Sequence, residues 1–169
     1  MFFISNTVNK TKKSNMIPEF KNLNDHEIHI MLSAPALITL LIAGAEGNIE
    51  EKEIDWGAKI AHFRAEDKDS ILQNYYKEVD KTFDESLKEY IVMIPHDVHD
   101  RTEKINSRLA KINEILPKLD KKFAMEFYKS ILSLSTQVAK ASGGIWGYGS
   151  VSREEQELID LEIIHPPKE

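Results

Sequence analysis

The sequence predicts an all-α domain, a compact bundle of about seven or eight helices. Two observations lead to this prediction. Apolar residues recur three or four positions apart through most of the chain, and this spacing places them on one face of an α-helix. No segment alternates apolar and polar residues for more than a few positions, although alternation is the pattern expected of a half-buried β-strand.

The most apolar helix is predicted near the N-terminal end of the domain. Asn24 or Asp25 can cap a first helix, because short polar side chains accept hydrogen bonds from the free N–H groups at a helix start. Ser33 followed by Pro35 predicts a new helix over residues 34–45, since proline in a first turn sacrifices no hydrogen bond. This second helix is apolar nearly all round, so it is expected in the middle of the domain.

Six further helices are predicted from apolar residues at helical spacing. They begin near residues 50, 67, 83, 99, 123 and 152. The helix from residue 83 should stop before Pro95 and the helix from residue 99 at Pro117, because proline disfavours helical geometry in the residue that precedes it. Trp56, on the first of these helices, is expected in the core.

The composition limits the classes of function. The chain has 41% hydrophobic and 30% charged residues, which is ordinary for a globular domain. Its net charge of −6 argues against nucleic acid as a partner, because such binding needs a basic surface. The absence of cysteine excludes disulfides and thiolate metal sites, and it fits a reducing compartment. We therefore expect a cytoplasmic protein.

Two segments decide how the chain is divided. Residues 1–20 include a polar and basic stretch without apolar periodicity and are predicted to be a flexible N-terminal arm, and residues 21–169 to be a single helical domain. The longest apolar run, residues 34–45, is shorter than the ~20 residues needed to cross a membrane. No membrane span is predicted.

A short pattern occurs twice and is the most informative feature of the chain. Residues 47–53 read G-N-I-E-E-K-E, and residues 149–155 read G-S-V-S-R-E-E. Each follows a long apolar segment that ends in small residues, and each precedes an acidic amphipathic stretch. The chain therefore contains two similar helix–turn–helix corners. The first corner is the turn between the predicted helices over residues 34–45 and from residue 50. The second corner is the turn over residues 142–152.

The first corner has the chemistry of half a calcium site. Residues 46–53 are similar to the second half of an EF-hand loop, in which a glycine turn brings a backbone carbonyl and carboxylates to one hard cation. The first half is missing, because its ligand positions would fall on Ile42 and Gly44. Any cation therefore needs ligands from elsewhere, and the second corner can supply them. The candidate metal ligands are Glu46, Glu50, Glu53, Ser142 and Glu155.

The same residues have a purely structural interpretation. Ser152 and Glu155 form a capping-box sequence, and acids in a first helical turn suit the helix dipole. Glu46 fits this interpretation less well, since it lies at a helix end, where the dipole disfavours an anion, and has several carboxylates nearby. Such like charges need a cation or a lysine to offset them. Lys52 is an available partner.

At these residues the chain resembles the TerB-like family, named for a tellurite-resistance protein. Residues 45–53 match its corner pattern A-D-G-x-[IV]-x-x-x-E, and residues 141–144 with the S-x-x-E sequence at 152–155 match its second half. The resemblance covers residues 30–163. It departs at Glu46, which replaces the usual aspartate, and at Ser142, where a second acid would strengthen a metal site.

The resemblance implies an all-helical domain of two similar halves with an acidic calcium or magnesium site between the corners. It also implies a non-catalytic role in bacterial stress response or tellurite resistance, with protein partners in a membrane-associated complex. On this basis we expect a binding or scaffold protein, not an enzyme.

Two alternatives remain open. The pairs His26 with His29 and His96 with His99 have helical spacing and suit zinc or iron, which would make the protein a metal-dependent enzyme. Residues 96–100 also fit a solvated helix start with Asp97 or Asp100 as the cap. The second alternative is a structural interaction module whose acidic corners serve only as helix caps.

Overall fold

The computed structural model describes residues 17–45, 47–49, 51–141 and 153–168, and it leaves out the side chains of residues 154 and 155. Within those ranges there are six helices of seven residues or more and no strand, so the all-α prediction is confirmed for them. The helices are α1 (Asp25–Ala43), α2 (Glu51–Glu66), α3 (Gln73–Met93), α4 (Val98–Leu109), α5 (Lys121–Ala141) and α6 (Arg153–Ile159). Single turns of helix occur at Pro18–Phe20, Ile112–Ile115 and Leu116–Lys118.

Helix α1 is the centre of the molecule, as its composition predicts. All residues from 30 to 44 are buried, and each of the other five helices contacts α1. An 18-residue window of α1 is long and apolar enough to cross a membrane, but 83% of that window is buried inside the bundle. That degree of burial is what a core helix requires.

The predicted break before Pro35 is wrong, because α1 continues through it. Proline has no N–H, so the carbonyl of Met31, four residues earlier, loses its helical donor. The hydroxyl of Tyr75 on α3 donates to that carbonyl at 2.7 Å. The start of α1 is as predicted, since Asn24 and Glu27 form a reciprocal capping box. The hydrogen bond from α3 thus satisfies the Met31 carbonyl, which Pro35 would otherwise leave without a donor.

Two other predicted boundaries differ from the structure. The separate helices expected from residues 67 and 83 are one helix, α3, whose buried stripe runs without interruption from Tyr75 to Tyr90. The single helix expected over residues 99–116 ends at Leu109 and is followed by a separate turn. The row of buried apolar residues continues past the end of α4, because Leu109 and Ile112 are both fully buried.

The packed domain begins earlier than the predicted boundary at residue 21. Ile17 and Phe20 are buried in the core, and the ring of Phe20 meets Tyr75 and Phe123 edge-on, with centroids 6.1 and 5.9 Å apart. The last four residues of the expected arm therefore belong to the domain. Residues 1–16 of that arm lie outside the described ranges.

Helix α2 packs closely on α1 through Gly57. A Cβ atom at Gly57 would come within 2.6 Å of the Thr39 Cγ2 atom, so only glycine allows the two backbones to approach this closely. The buried stripe of α2 also holds Glu53, Ile60 and Ala61. Trp56 lies outside this stripe and is 40% exposed; its predicted place in the core is wrong.

The C-terminal segment is fastened to the bundle by side chains from other elements. The Ser135 hydroxyl on α5 donates to the Ile159 carbonyl at 2.7 Å. Asn113 donates to the Ile163 carbonyl and accepts from the His165 N–H. These bonds hold α6 and the segment after it against the bundle. The helices on either side of the second corner, α5 and α6, are therefore both anchored in the domain.

Candidate functional site

The first corner is a tight turn that leaves α1 and enters α2. Its first residue, Gly44, caps α1 by donating its N–H to the Leu40 carbonyl at 2.9 Å. Gly47 has a φ of +104°, a backbone conformation that side chains disfavour. Its N–H donates to the Gly44 carbonyl at 3.2 Å. The sharp glycine turn predicted here is confirmed.

A buried arginine holds this corner. Arg101 on α4 is only 5% exposed, and its guanidinium donates to the carbonyls of Gly44 and Gly47, the latter at 3.1 Å. It also donates to the His96 carbonyl at 3.3 Å. A guanidinium carries five donors and is always charged, so one side chain supplies a positive charge and a donor to each of three carbonyls.

Local sequence places Arg101 at the corner. Asp97 caps α4 by accepting from the Asp100 N–H at 3.0 Å, which sets the direction of the first turn. At Gly44 a Cβ atom would meet the Arg101 Nε atom at 3.0 Å and the Leu40 carbonyl oxygen at 2.9 Å. Glycine at this position therefore gives the guanidinium room to reach the backbone.

Arg101 was missed from the sequence, although one signal pointed to it. A cation near the N-terminus of a helix is disfavoured by the helix dipole, and Arg101 is four residues after the α4 cap. An arginine in that position needs compensating acceptors. Those acceptors come from a turn more than fifty residues away in the chain.

Among the five candidate metal ligands, Glu53 is the one whose side chain the structure describes. It lies in the first turn of α2 and is 3% exposed. Burial of a carboxylate is costly unless charges or hydrogen bonds compensate it. Glu46, Glu50 and Ser142 lie outside the described residues, as does the side chain of Glu155.

The helices that flank the two corners line one cavity, although none of the candidate ligands is among its described lining residues. It has a volume of about 540 Å³ and lies between the start of α2 and the end of α5. Ala141, the last residue before the second corner, shares this cavity with Glu51 and Asp55. The complete lining is Glu51, Lys52, Asp55, Trp56, Lys59 and Ala141. We call it the α2–α5 cavity; its two acids and two lysines carry no net charge.

The described residues do not by themselves make a cation site. No group of three or more histidines or acids lies close enough to hold a metal within the described ranges. The first corner already has a guanidinium on two of its carbonyls. A metal here would therefore depend on side chains at residues 46, 50, 142 and 155, together with Glu53.

Among the described residues, only His96 of the histidine pairs touches this corner, through its backbone carbonyl, which accepts from Arg101. The capping interpretation of residues 96–100 is confirmed by the Asp97 cap, and both His96 and His99 are exposed. His26 is also exposed, and His29 Nε2 lies 3.3 Å from the Tyr90 hydroxyl. Nothing in the described geometry brings either pair together with the acids that a metal enzyme needs.

Fold and site together define a helical domain in which Arg101 holds the first corner and a cavity lies between α2 and α5. In comparisons with protein-family models, curated proteins and solved structures, no match to this chain was found.

Proposed function

We propose that this chain is a non-enzymatic binding or scaffold protein of the TerB-like kind. It would act in the bacterial cytoplasm, in a stress-response or tellurite-resistance system, through protein partners in a membrane-associated complex. The all-helical architecture and the glycine turn of the first corner agree with the resemblance. The observation that carries the proposal is that the end of α5 lines the same cavity as the start of α2.

That cavity supports a site shared by the two corners and two similar halves of the domain. The residue that leads into the second corner, Ala141, lies beside the helix that leaves the first one. We propose that a divalent cation, calcium or magnesium, binds between the two corners, next to this cavity. Its ligands would be side chains, since the corner carbonyls of Gly44 and Gly47 are used by Arg101. They are Glu46, Glu50, Glu53, Ser142 and Glu155.

Thermal unfolding with and without metal tests this proposal. A ligand at 100 times its dissociation constant stabilises by about 2.7 kcal/mol, so calcium or magnesium should raise the melting temperature relative to chelator. The metal-induced shift should disappear in Glu46→Gln and Glu53→Gln. Glu66→Gln is the matched control, because Glu66 is exposed at the far end of the same helix, outside the cavity lining, and should keep the shift.

Each other result counts against the cation site. A shift that survives Glu46→Gln and Glu53→Gln would place the metal elsewhere. A zinc shift that is lost with His96→Ala and His99→Ala would favour the metal-dependent enzyme. The comparison uses the shift within each variant, because loss of the buried Glu53 carboxylate changes the melting temperature by itself.

Arg101 favours a second candidate, a structural interaction module without metal. Crowded carboxylates at the first corner motivate a cation, and the buried guanidinium is a cation that the chain itself provides. In this case no divalent metal changes the melting curve. The corner then serves to fix the angle between α1 and α2.

A further inference from the structure

A second cavity, distinct in its lining from the α2–α5 cavity, lies between the C-terminal end of α3 and α4. Its volume is about 190 Å³. Its walls include Leu37, Tyr90, Ile94 and Ile105, all of them buried. Met93 also lines it and is 43% exposed, so the apolar interior opens to solvent. We call it the basic cavity, because of its charged residues.

Positive charge surrounds this apolar interior. Lys104, Arg108 and Lys111 line the cavity, and no aspartate or glutamate is among its lining residues. This is unusual for a chain with a net charge of −6. Lys104 is used to cap α3, since its Nζ donates to the Met93 carbonyl at 2.8 Å. Arg108 and Lys111 therefore provide the charge available to a ligand.

Arg108 is positioned but incompletely satisfied. Its guanidinium carbon lies 5.0 Å from the centre of the Tyr90 ring, a cation–π contact that fixes its orientation. Its Nε is buried and has no hydrogen-bond partner within the described part of the chain. A buried donor without an acceptor is unfavourable, but this Nε is closed off from solvent, so Arg108 would act on a ligand through the other atoms with which it lines the cavity.

We propose that the basic cavity binds a small organic anion, a carboxylate on a short acyl chain or a single aromatic ring. The size supports this class, because a cavity of about 150 Å³ holds benzene. The carboxylate would lie against Arg108 and Lys111, and the apolar body would lie against Leu37, Ile94 and Ile105. Planar guanidinium groups pair well with carboxylates.

Octanoate is a suitable probe, with binding measured by isothermal titration calorimetry and by amide shifts in NMR spectra. We expect one saturable site, with amide shifts at Met93 and Ser107. Octanol lacks the charge and should bind at least about tenfold more weakly. Octylammonium has the same chain with the opposite charge and should not bind.

Two matched double variants locate the site. Arg108→Gln with Lys111→Gln should weaken octanoate binding by at least about tenfold. Lys52→Gln with Lys59→Gln removes the same charge beside the α2–α5 cavity and should leave octanoate binding unchanged. If the Arg108 change disturbs packing on Tyr90, Lys111→Gln alone decides, since Lys111 is exposed; it should weaken binding by about threefold.

The proposal is overturned by any of three results. These are no saturable octanoate binding up to about 1 mM, equal binding of octylammonium, or the same loss of affinity in both double variants. None of them bears on the cation experiment at the first corner, because the two sites share no lining residue.

Discussion

Arg101 shows how one side chain can organise a turn that lies far away in the sequence. Its guanidinium joins the start of α4 to both glycines of the first corner. The arrangement works because carbonyl oxygens at a tight turn point outward and need donors. A charged donor with several N–H groups meets this need better than water in a site that is almost closed.

We predict that Arg101→Met lowers the free energy of unfolding by about 2–4 kcal/mol, because buried carbonyls lose a charged donor. The unfolding free energy of Arg101→Lys should lie between those of wild type and Arg101→Met, since lysine keeps the charge but not the planar arrangement of donors. Urea denaturation measures both. Lys88→Met, at an exposed position of α3, should change stability by less than about 0.5 kcal/mol. Equal effects of Arg101→Met and Lys88→Met would contradict the role given to Arg101.

His62 is the residue through which pH is expected to act. Its Nδ1 lies 3.0 Å from an Asp80 carboxylate oxygen, and this hydrogen bond and the negative charge of Asp80 raise the pKa of His62 above its usual 6.5. The protonated form is thus favoured in the folded state. The resulting stabilisation is fully present below pH 6.5 and is lost as pH rises through the raised pKa.

Asp80→Asn should lower the pKa of His62, as followed by NMR of its ring protons. The difference in melting temperature between wild type and Asp80→Asn should be larger at acidic pH than at alkaline pH. Asp84→Asn removes an exposed carboxylate one turn further along α3 and serves as the control. An unchanged His62 titration in Asp80→Asn would refute the coupling.

At the scale of the element, α1 is continuous because α3 supplies what Pro35 lacks. The Met31 carbonyl accepts from the Tyr75 hydroxyl, and Tyr75 is fully buried, which raises its pKa well above 10.0. The hydroxyl therefore stays protonated and remains a donor. A helix that would be kinked or broken alone is kept whole by its neighbour.

Tyr75→Phe should lower the free energy of unfolding by about 1–3 kcal/mol, because it leaves the Met31 carbonyl without its donor. In a Pro35→Ala background the cost should be smaller by about 1 kcal/mol, since alanine restores the helical N–H. Chemical denaturation of wild type, the two single variants and the double variant measures this coupling. Tyr128→Phe, at a half-buried position, should show no coupling to Pro35→Ala. Additive effects of the Tyr75 and Pro35 changes would argue against the explanation.

At the scale of the whole molecule, an aromatic cluster joins the N-terminal segment to α3 and α5. Phe20 is completely buried and contacts Tyr75 and Phe123 edge-on. Phe20→Ala should lower the unfolding free energy by about 3–5 kcal/mol. Lys21→Ala, at the neighbouring exposed position, should have little effect. A small loss from Phe20→Ala in a calorimetric melt would mean that the domain starts after residue 20.

Much of this architecture was accessible from the sequence because it depends on local periodicity. The central helix, the Asn24 cap, the glycine turn and the α4 start follow from neighbouring residues. Two of the errors share one cause. Pro35 and Trp56 were assigned from local preference or hydrophobicity, whereas Tyr75 and the Gly57 contact with Thr39, both distant in sequence, decide their actual environments.

The candidate site was less predictable than the fold. The acids at the first corner were identified from the sequence, but Arg101, which donates to the carbonyls of that corner, was not. The two cavities are formed by helices that are far apart in the sequence, so no local pattern marks their linings. Of the ligand set, Glu53 is the one side chain whose burial is described.

The sequence by itself determined that the chain is helical, where its most apolar helix lies and where a glycine must turn the backbone, because these properties follow from side-chain spacing and from φ and ψ preferences of single residues. Tertiary structure alone decided that α1 passes through Pro35 and that Arg101 fastens the first corner. It also placed three basic side chains around a small apolar cavity. Each of these depends on donors and acceptors that meet only after distant helices pack.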